Sequence, residues 1–512
     1  MSAIHSSRVD DVLRRSAARS PHRPALAFGD RSWTYRELDD AVTRAAAELL
    51  AKGVGSQERV AVYGSNSDAY VIAFLACSRA GLVHVPINNA LTGDELDYLL
   101  TDSGASLVLA DPGLAPRVVQ VSDVPVMALR DSDESLLSRV RSCGGPVPEV
   151  PEPDVDESGL VQLLYTSGTT SAPKGAMMSH RALVHEYFST IVALDLTGND
   201  APLHVMPLYH SAGMHVWMMP YLAVGAANQL MPSADVTAIL EQIEETRAGS
   251  IFLAPTVWVP LSQHEDFARR DLSSLRKAIY GASIMPVPVL ERLQKALPQL
   301  GFYNAFGQSE IGPLATVLRP EEHAARPASC GRAVLNVEIR VIDGNGEPVE
   351  AGGQGEVVYR SPQLCDGYWN KPEMTEEAFR GGWFHSGDLV SIDDEGFITV
   401  VDRIKDVVNT GGVLVASREV EDALYTHTGV AEVAVIGVPD PKWIEAVVAF
   451  VVANSDVTEE ELVVHAKSRL ASFKVPKEIV FVDQLPRNAS GKLLKRVVRA
   501  EHAEARKKSD GA

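Results

Sequence analysis

Over its first 111 residues the chain switches repeatedly between helical and strand periodicity, and that alternation restricts it to a parallel sheet with covered faces. Thr34 and Glu37 have the spacing of a capping box ahead of LDDAVTRAAAELLAKG, a helix closed by Gly53. RVAVYG (59–64) is an apolar run of strand length, NSDAYVIAFLACSRAG (66–81) a helix, and VHVPIN (83–88) the next strand. Thr92 and Glu95 open a further helix, and SLVLAD (106–111) completes the series. Parallel neighbours cannot be joined by tight turns, so the intervening helices become crossovers packed on the sheet.

At 512 residues the chain outgrows a single core, and two to four domains or subdomains are predicted. GPVPEVPEPDVDES (145–158) is a Pro- and acid-rich surface connection, after which short apolar strands resume at VQLLY (161–165), SIFLAP (250–255) and KAIYG (277–281). From about residue 330 the strands VEIRVID, GEVVYRS and GFITVVD, broken by Gly and acidic turns, predict a small antiparallel or barrel-like unit. A separate α+β block follows Asp402, built from REVEDALYTHTG, AEVAVIGV, EAVVAFVV and TEEELVVHAKSRLA, and the charged tail from Ala500 is predicted to fray.

The formal net charge of -20 argues against nucleic acid and against electrostatic docking on anionic lipid, so any phosphate chemistry needs its few cations focused in a cleft. The four cysteines (Cys77, Cys143, Cys330, Cys365) are scattered without metal-like spacing and predict free thiols. The start MSAIHSSRVDD has no cationic-then-apolar leader, and no apolar run approaches the roughly 18 residues that span a bilayer. The expected compartment is the cytoplasm.

The segment that carries most chemistry is YTSGTTSAPKGAMMSH (165–180), a string of hydroxyls and glycines with one lysine after a predicted strand. Such a loop can wrap phosphate oxygens in backbone N–H groups, hydroxyls and an ammonium. It is not a Walker A loop, because Pro173 rather than Gly precedes Lys174. Taken alone it could also be a Ser/Thr/Gly surface loop. Seven further strings follow in order: MPLYHSAG (206–213), YGAS (280–283), YNAFGQSE (303–310), WFHSGD (383–388), DRIKD (402–406), NTGGVLVASREVE (409–421) and PRNASGK (486–492). Together they cover nearly the whole chain and resemble the motif set of the adenylate-forming superfamily, which comprises acyl- and aryl-CoA synthetases, peptide-synthetase adenylation domains and luciferases.

The resemblance implies an α/β fold: a large N-terminal domain (1–402) of two βαβ-type subdomains and a small β-barrel-like one, then a small mobile α+β C-terminal domain (403–512). It implies that Thr166, Ser167, Gly168, Thr169, Thr170 and Lys174 cradle the β- and γ-phosphates of ATP. Gly281, Ala282, Ser283, Ala305 and Gly307 fall in the adenine and phosphate segments, Phe306 lies against adenine and Ser309 meets the α-phosphate. Glu310 becomes the Mg²⁺ carboxylate, Asp388 with Arg403 the ribose grip, and Lys492 the catalytic lysine between substrate carboxylate and α-phosphate. Lys405 falls at the hinge, with a solvated boundary charge as the alternative, and Gly411 and Gly412 fall on the pantetheine path of coenzyme A. His210 is read both as a gate or carboxylate contact in the acyl pocket and as a structural histidine; Met214, Trp217 and Asn304 are the other pocket candidates.

Departures from the family pattern (Ser309 for Thr, Ala305 for Gly, GRAVLN at 331–336 without its usual Pro and Gly, Ser417 for Pro) remove no functional group. The stretch LYHSAGMHVWMMPYL (208–222) contains no carboxylate to bind an α-ammonium, which points away from amino acids and toward a bulky apolar acid: fatty, aromatic or polycyclic. Free coenzyme A is the expected acceptor. A carrier protein loaded in trans, a luciferase-like oxygenase and a non-catalytic nucleotide-binding module are the alternatives.

Overall fold

Thr34 opens its helix as its spacing predicts: the Glu37 carboxylate takes the Thr34 N–H at 2.8 Å, the Thr34 hydroxyl takes the Glu37 N–H at 3.3 Å, and the helix runs Tyr35–Ala51. Thr92 is also an N-cap, of helix Gly93–Ser103, but its hydroxyl makes no cap bond, so that start rests on Asp94 and Glu95 beside the positive end of the helix. The computed structural model describes residues 7–142, 145–166, 172–283, 285–411, 413–487 and 493–510.

The chain forms two compact units. The first takes in the described residues up to 166, then 173–339 and 359–384; the second takes in 340–358 and 385–510. In the first unit, strands Arg59–Tyr63, Val83–Ile87, Ala105–Ala110, Val126–Ala128 and Leu160–Thr166 run parallel in one six-stranded sheet, with Lys174–Ser179 antiparallel at its edge. The register pairs Arg59 with Val83 and Tyr63 with Ile87. Helix Asp68–Ala80, the crossover between those two strands, is buried along its whole length, which is why its sequence is apolar all round. A nine-stranded sheet holds Ser250–Leu253, Lys277–Gly281 and Gly301–Phe306 as parallel neighbours, so the ends of the last two carry the YGAS and YNAFGQSE strings side by side, with Gly281 opposite Ala305.

In the second unit the glycine-broken strands Glu338–Ile342, Gln354–Arg360, Phe384–Ile392 and Ile398–Arg403 form a four-stranded sheet in that order. The five-stranded sheet beyond is dominated by the long antiparallel pair Val430–Asp440 and Ile444–Ala453. Helices Ser417–Tyr425 and Glu459–Lys467 bury Val420, Leu424, Leu462 and Ala466 in the core under it. The charged tail does not fray at Ala500: helix Lys495–Asp510 continues through it, because Val498 and His502 are buried.

Candidate active site

The antiparallel strands Leu160–Thr166 and Lys174–Ser179 flank the hydroxyl-rich string, with Thr166 opposite Lys174 in the register. Ser167, Gly168, Thr169 and Thr170 lie outside the described residues, but both stems of the loop are fixed. The Tyr165 hydroxyl donates to Asp102 at 2.7 Å, the Tyr98 hydroxyl donates to the Pro173 carbonyl at 2.9 Å, and the Lys371 ammonium sits 2.8 Å from Asp102. The Lys174 ammonium lies 4.2 Å from the centre of the Tyr368 ring, a cation–π contact that holds it near the stem.

Across this hairpin, the 3₁₀ turn Ser309–Ile311 carries Glu310, which is 9% exposed. Its Oε1 accepts from the Tyr368 hydroxyl at 3.0 Å and from the Thr166 hydroxyl at 3.3 Å. A carboxylate oxygen aimed by two hydroxyls has the hard donor chemistry that suits Mg²⁺. Ser309 Oγ lies 2.9 Å from Ser211 Oγ, which joins the turn to the segment of His210. Glycine is required at two points where backbones nearly touch: a Cβ on Gly281 would fall 2.3 Å from the Ala305 carbonyl oxygen, and one on Gly307 would fall 2.0 Å from that of Pro313. Ala282 adopts a left-handed φ of 64° without being glycine, and Phe306 is half-buried at the end of its strand.

In the second unit, Asp388 and Arg403 face each other in the register of Phe384–Ile392 and Ile398–Arg403, with Arg403 Nε 2.7 Å from Asp388 Oδ1. The Asp388 N–H donates to Ser386 Oγ at 3.0 Å, and the Arg403 guanidinium also donates to the Ser386 carbonyl at 3.1 Å. Gly387, at φ 71°, gives its N–H to Glu356, and this turn presents Asp388.

Residues 13–369 match the family described as AMP-binding enzyme, and residues 419–492 its C-terminal domain. A feruloyl-CoA synthase from Amycolatopsis sp is 37% identical over 493 residues, 95% of this chain and 97% of the relative. A long-chain-fatty-acid–CoA ligase from Mycobacterium tuberculosis is 32% identical over 96% of this chain and 98% of its own. The crystal structure of an anthranilate CoA ligase in complex with anthranoyl-AMP superposes with a TM-score of 0.89 at 26% identity, covering 98% of each chain. The chain belongs to the AMP-binding enzyme family. This AMP-binding enzyme is an ATP-dependent acid–thiol ligase of the acyl-CoA synthetase class, and such ligases use ATP, Mg²⁺ and CoA. Among its described residues no helix is long and apolar enough to cross a membrane.

Within the first unit of this AMP-binding enzyme, the fold brings together Thr166, Lys174, Ser309 and Glu310, which lie up to 144 residues apart in sequence. Of the acyl-pocket candidates, His210 is exposed and stacks obliquely on Tyr209, while Asn304 donates its amide to the Ser329 carbonyl at 2.9 Å. Met214 and Trp217 stand on a π-helix, Ala212–Met218, and are fully buried, and the Trp217 indole N–H is committed to the Leu203 carbonyl. In the second unit, Lys405 is exposed on the 3₁₀ turn Ile404–Asp406, which Arg499 ties down through Asp406 at 2.8 Å. The Gly411 N–H donates to the Trp443 carbonyl; Gly412 and Lys492 lie outside the described residues. Sequence reasoning missed Tyr368, Ser211 and Asp102. The aromatic-rich GYWNKP run (367–372) was the signal that could have found the first.

Proposed function

We propose that this enzyme adenylates a bulky apolar carboxylic acid and transfers the acyl group to CoA. The carboxylate oxygen attacks the α-phosphorus of ATP and diphosphate leaves; the thiol sulfur then attacks the acyl carbonyl, loses its proton, and AMP leaves. The observation that carries the reading is Glu310, aimed by Tyr368 and Thr166 at the base of the phosphate hairpin. In the first step Thr166, Ser167, Gly168, Thr169, Thr170 and Lys174 hold the outer phosphates, Ser309 the α-phosphate, Phe306 the adenine, and Asp388 with Arg403 the ribose. Magnesium, when bound to Glu310, neutralises phosphate charge. Lys492 neutralises the approach of one anion to another. Lys405 is the hinge, and the functional division falls between residues 402 and 403.

An apolar acid is supported by the lack of a carboxylate in residues 208–222 and by the buried Met214, Val216, Trp217 and Met218 there. A panel of fatty, aryl, polycyclic and amino acids, read by exchange of labelled diphosphate into ATP, tests it. Exchange restricted to amino acids would overturn the acid class, and none with any acid would overturn the function. The cytoplasm as compartment is supported by the buried free thiols of Cys77 and Cys365 among the described residues.

For CoA rather than a carrier protein, the support is Trp443, the half-buried partner of Gly411. Lys442 and Lys477 stand over its ring at 5.0 and 5.4 Å, and an aromatic plane flanked by ammonium groups suits an adenine with its phosphates. The double variant Lys442→Glu, Lys477→Glu is expected to raise the KM for CoA about tenfold or more, with diphosphate exchange unchanged. An unaltered KM, or acyl transfer to a holo-carrier in preference to CoA, would count against this acceptor.

A further inference from the structure

Gln363 is fully buried and belongs to none of the motif strings, yet every polar atom of its amide is used. Its Nε2 donates to the carbonyls of Ile311 at 3.1 Å and Leu314 at 2.8 Å, and its Oε1 accepts from the Ser189 hydroxyl at 2.7 Å. Ile311 ends the 3₁₀ turn that carries Glu310, and Leu314 lies just beyond. Two residues along, the Cys365 N–H donates to the Glu310 carbonyl at 2.8 Å, and three further on Tyr368 reaches the Glu310 carboxylate. The run 363–368 therefore grips the turn at backbone and side chain. From the other side, Glu186 packs so closely under Gly312 that a Cβ there would fall 2.7 Å from its Cγ. Glu186 accepts from the Thr190 hydroxyl at 2.9 Å, and burial raises its pKa well above the usual carboxylate range.

We propose that Gln363, oriented by Ser189, is a positioning residue that fixes the Glu310 turn for the metal-bound triphosphate. This rests on the reading of Glu310 as the magnesium carboxylate. The physical reason is preorganisation: a carboxylate on an unbraced turn would have to be ordered when the metal nucleotide binds, and that cost appears as lost affinity. An apolar side chain of the same length leaves the Ile311 and Leu314 carbonyls without their donor, so the turn relaxes away from its productive position.

The test compares wild type, Gln363→Met and the milder Ser189→Ala. Manganese binding in the presence of a non-hydrolysable ATP analogue is read by electron paramagnetic resonance, beside metal-free nucleotide binding and both half-reactions. The expected result for Gln363→Met is metal affinity weakened about 10- to 100-fold, with metal-free nucleotide binding and acyl transfer from a supplied acyl-adenylate unchanged. Ser189→Ala should weaken the metal in the same direction by less, and it decides the matter if Gln363→Met does not fold. Metal affinity within twofold of wild type in the folded variants, or equal losses in both half-reactions, would overturn the proposal. Wild type that never exchanges diphosphate would instead sink the function on which it rests.

Discussion

Lys492→Ala is expected to lower diphosphate exchange on the order of 10²–10³-fold while sparing acyl transfer from a supplied acyl-adenylate. The asymmetry follows from the charges. Joining a carboxylate to a phosphate requires a cation between them, whereas a neutral thioester forming from a mixed anhydride does not. Lys405→Pro should give the reverse pattern. Proline fixes φ near -65° at the one exposed lysine of the Ile404–Asp406 turn, so a rearrangement that needs that torsion is blocked. Adenylation then proceeds and CoA transfer fails. The two half-reactions, each measured alone for both variants, check the pair. Parallel losses in either variant would remove the division of roles.

Gln162→Leu is expected to destabilise the first unit strongly. Gln162 is the centre of a fully buried chain: the Tyr187 hydroxyl lies 2.9 Å from His215 Nδ1, His215 Nε2 is 2.7 Å from Gln162 Oε1, and Gln162 Nε2 is 2.9 Å from His84 Nδ1. Burial lowers the pKa of both histidines to about 3, so each imidazole is neutral and the polarity runs one way. Tyr187 donates to His215, His215 to the Gln162 carbonyl, and the Gln162 amide to His84. Leucine orphans a donor and an acceptor at once, each worth about 1–3 kcal/mol. Urea unfolding should therefore show a loss of roughly 2–6 kcal/mol, and one below 1 kcal/mol would show that the network is not a structural anchor. The same depressed pKa values give a sign for pH. The unfolded histidines bind protons below about pH 6.5 and the folded ones only near pH 3, so stability falls as pH drops through that window.

The anchor also explains what could be read in advance. The helix begun by Thr34 was legible because a capping box is complete within four residues and its bonds are local. The glycines of YGAS and YNAFGQSE were legible as motif residues, but their necessity was not. It comes from the pairing of Gly281 with Ala305 and the crossing of Gly307 by Pro313. Met214 and Trp217 had the composition of an apolar pocket wall, but no periodicity foretold a π-helix or the commitment of the indole to Leu203. The tail from Ala500 was misjudged because its charge is obvious, while the burial of Val498 and His502 depends on a sheet assembled elsewhere.

By itself the sequence determined the class of chemistry, because its hydroxyls, glycines, acidic residues and lysines are carried in short strings whose order survives without coordinates. Only the tertiary structure decided how the carboxylate is held. Tyr368, Gln363 and Thr166 reach the Glu310 turn across 58, 52 and 144 residues of sequence, and Ser189 reaches Gln363 across 174. A hydrogen bond acts over about 3 Å of space and is indifferent to distance along the chain, so such partners become visible only once the backbone has folded.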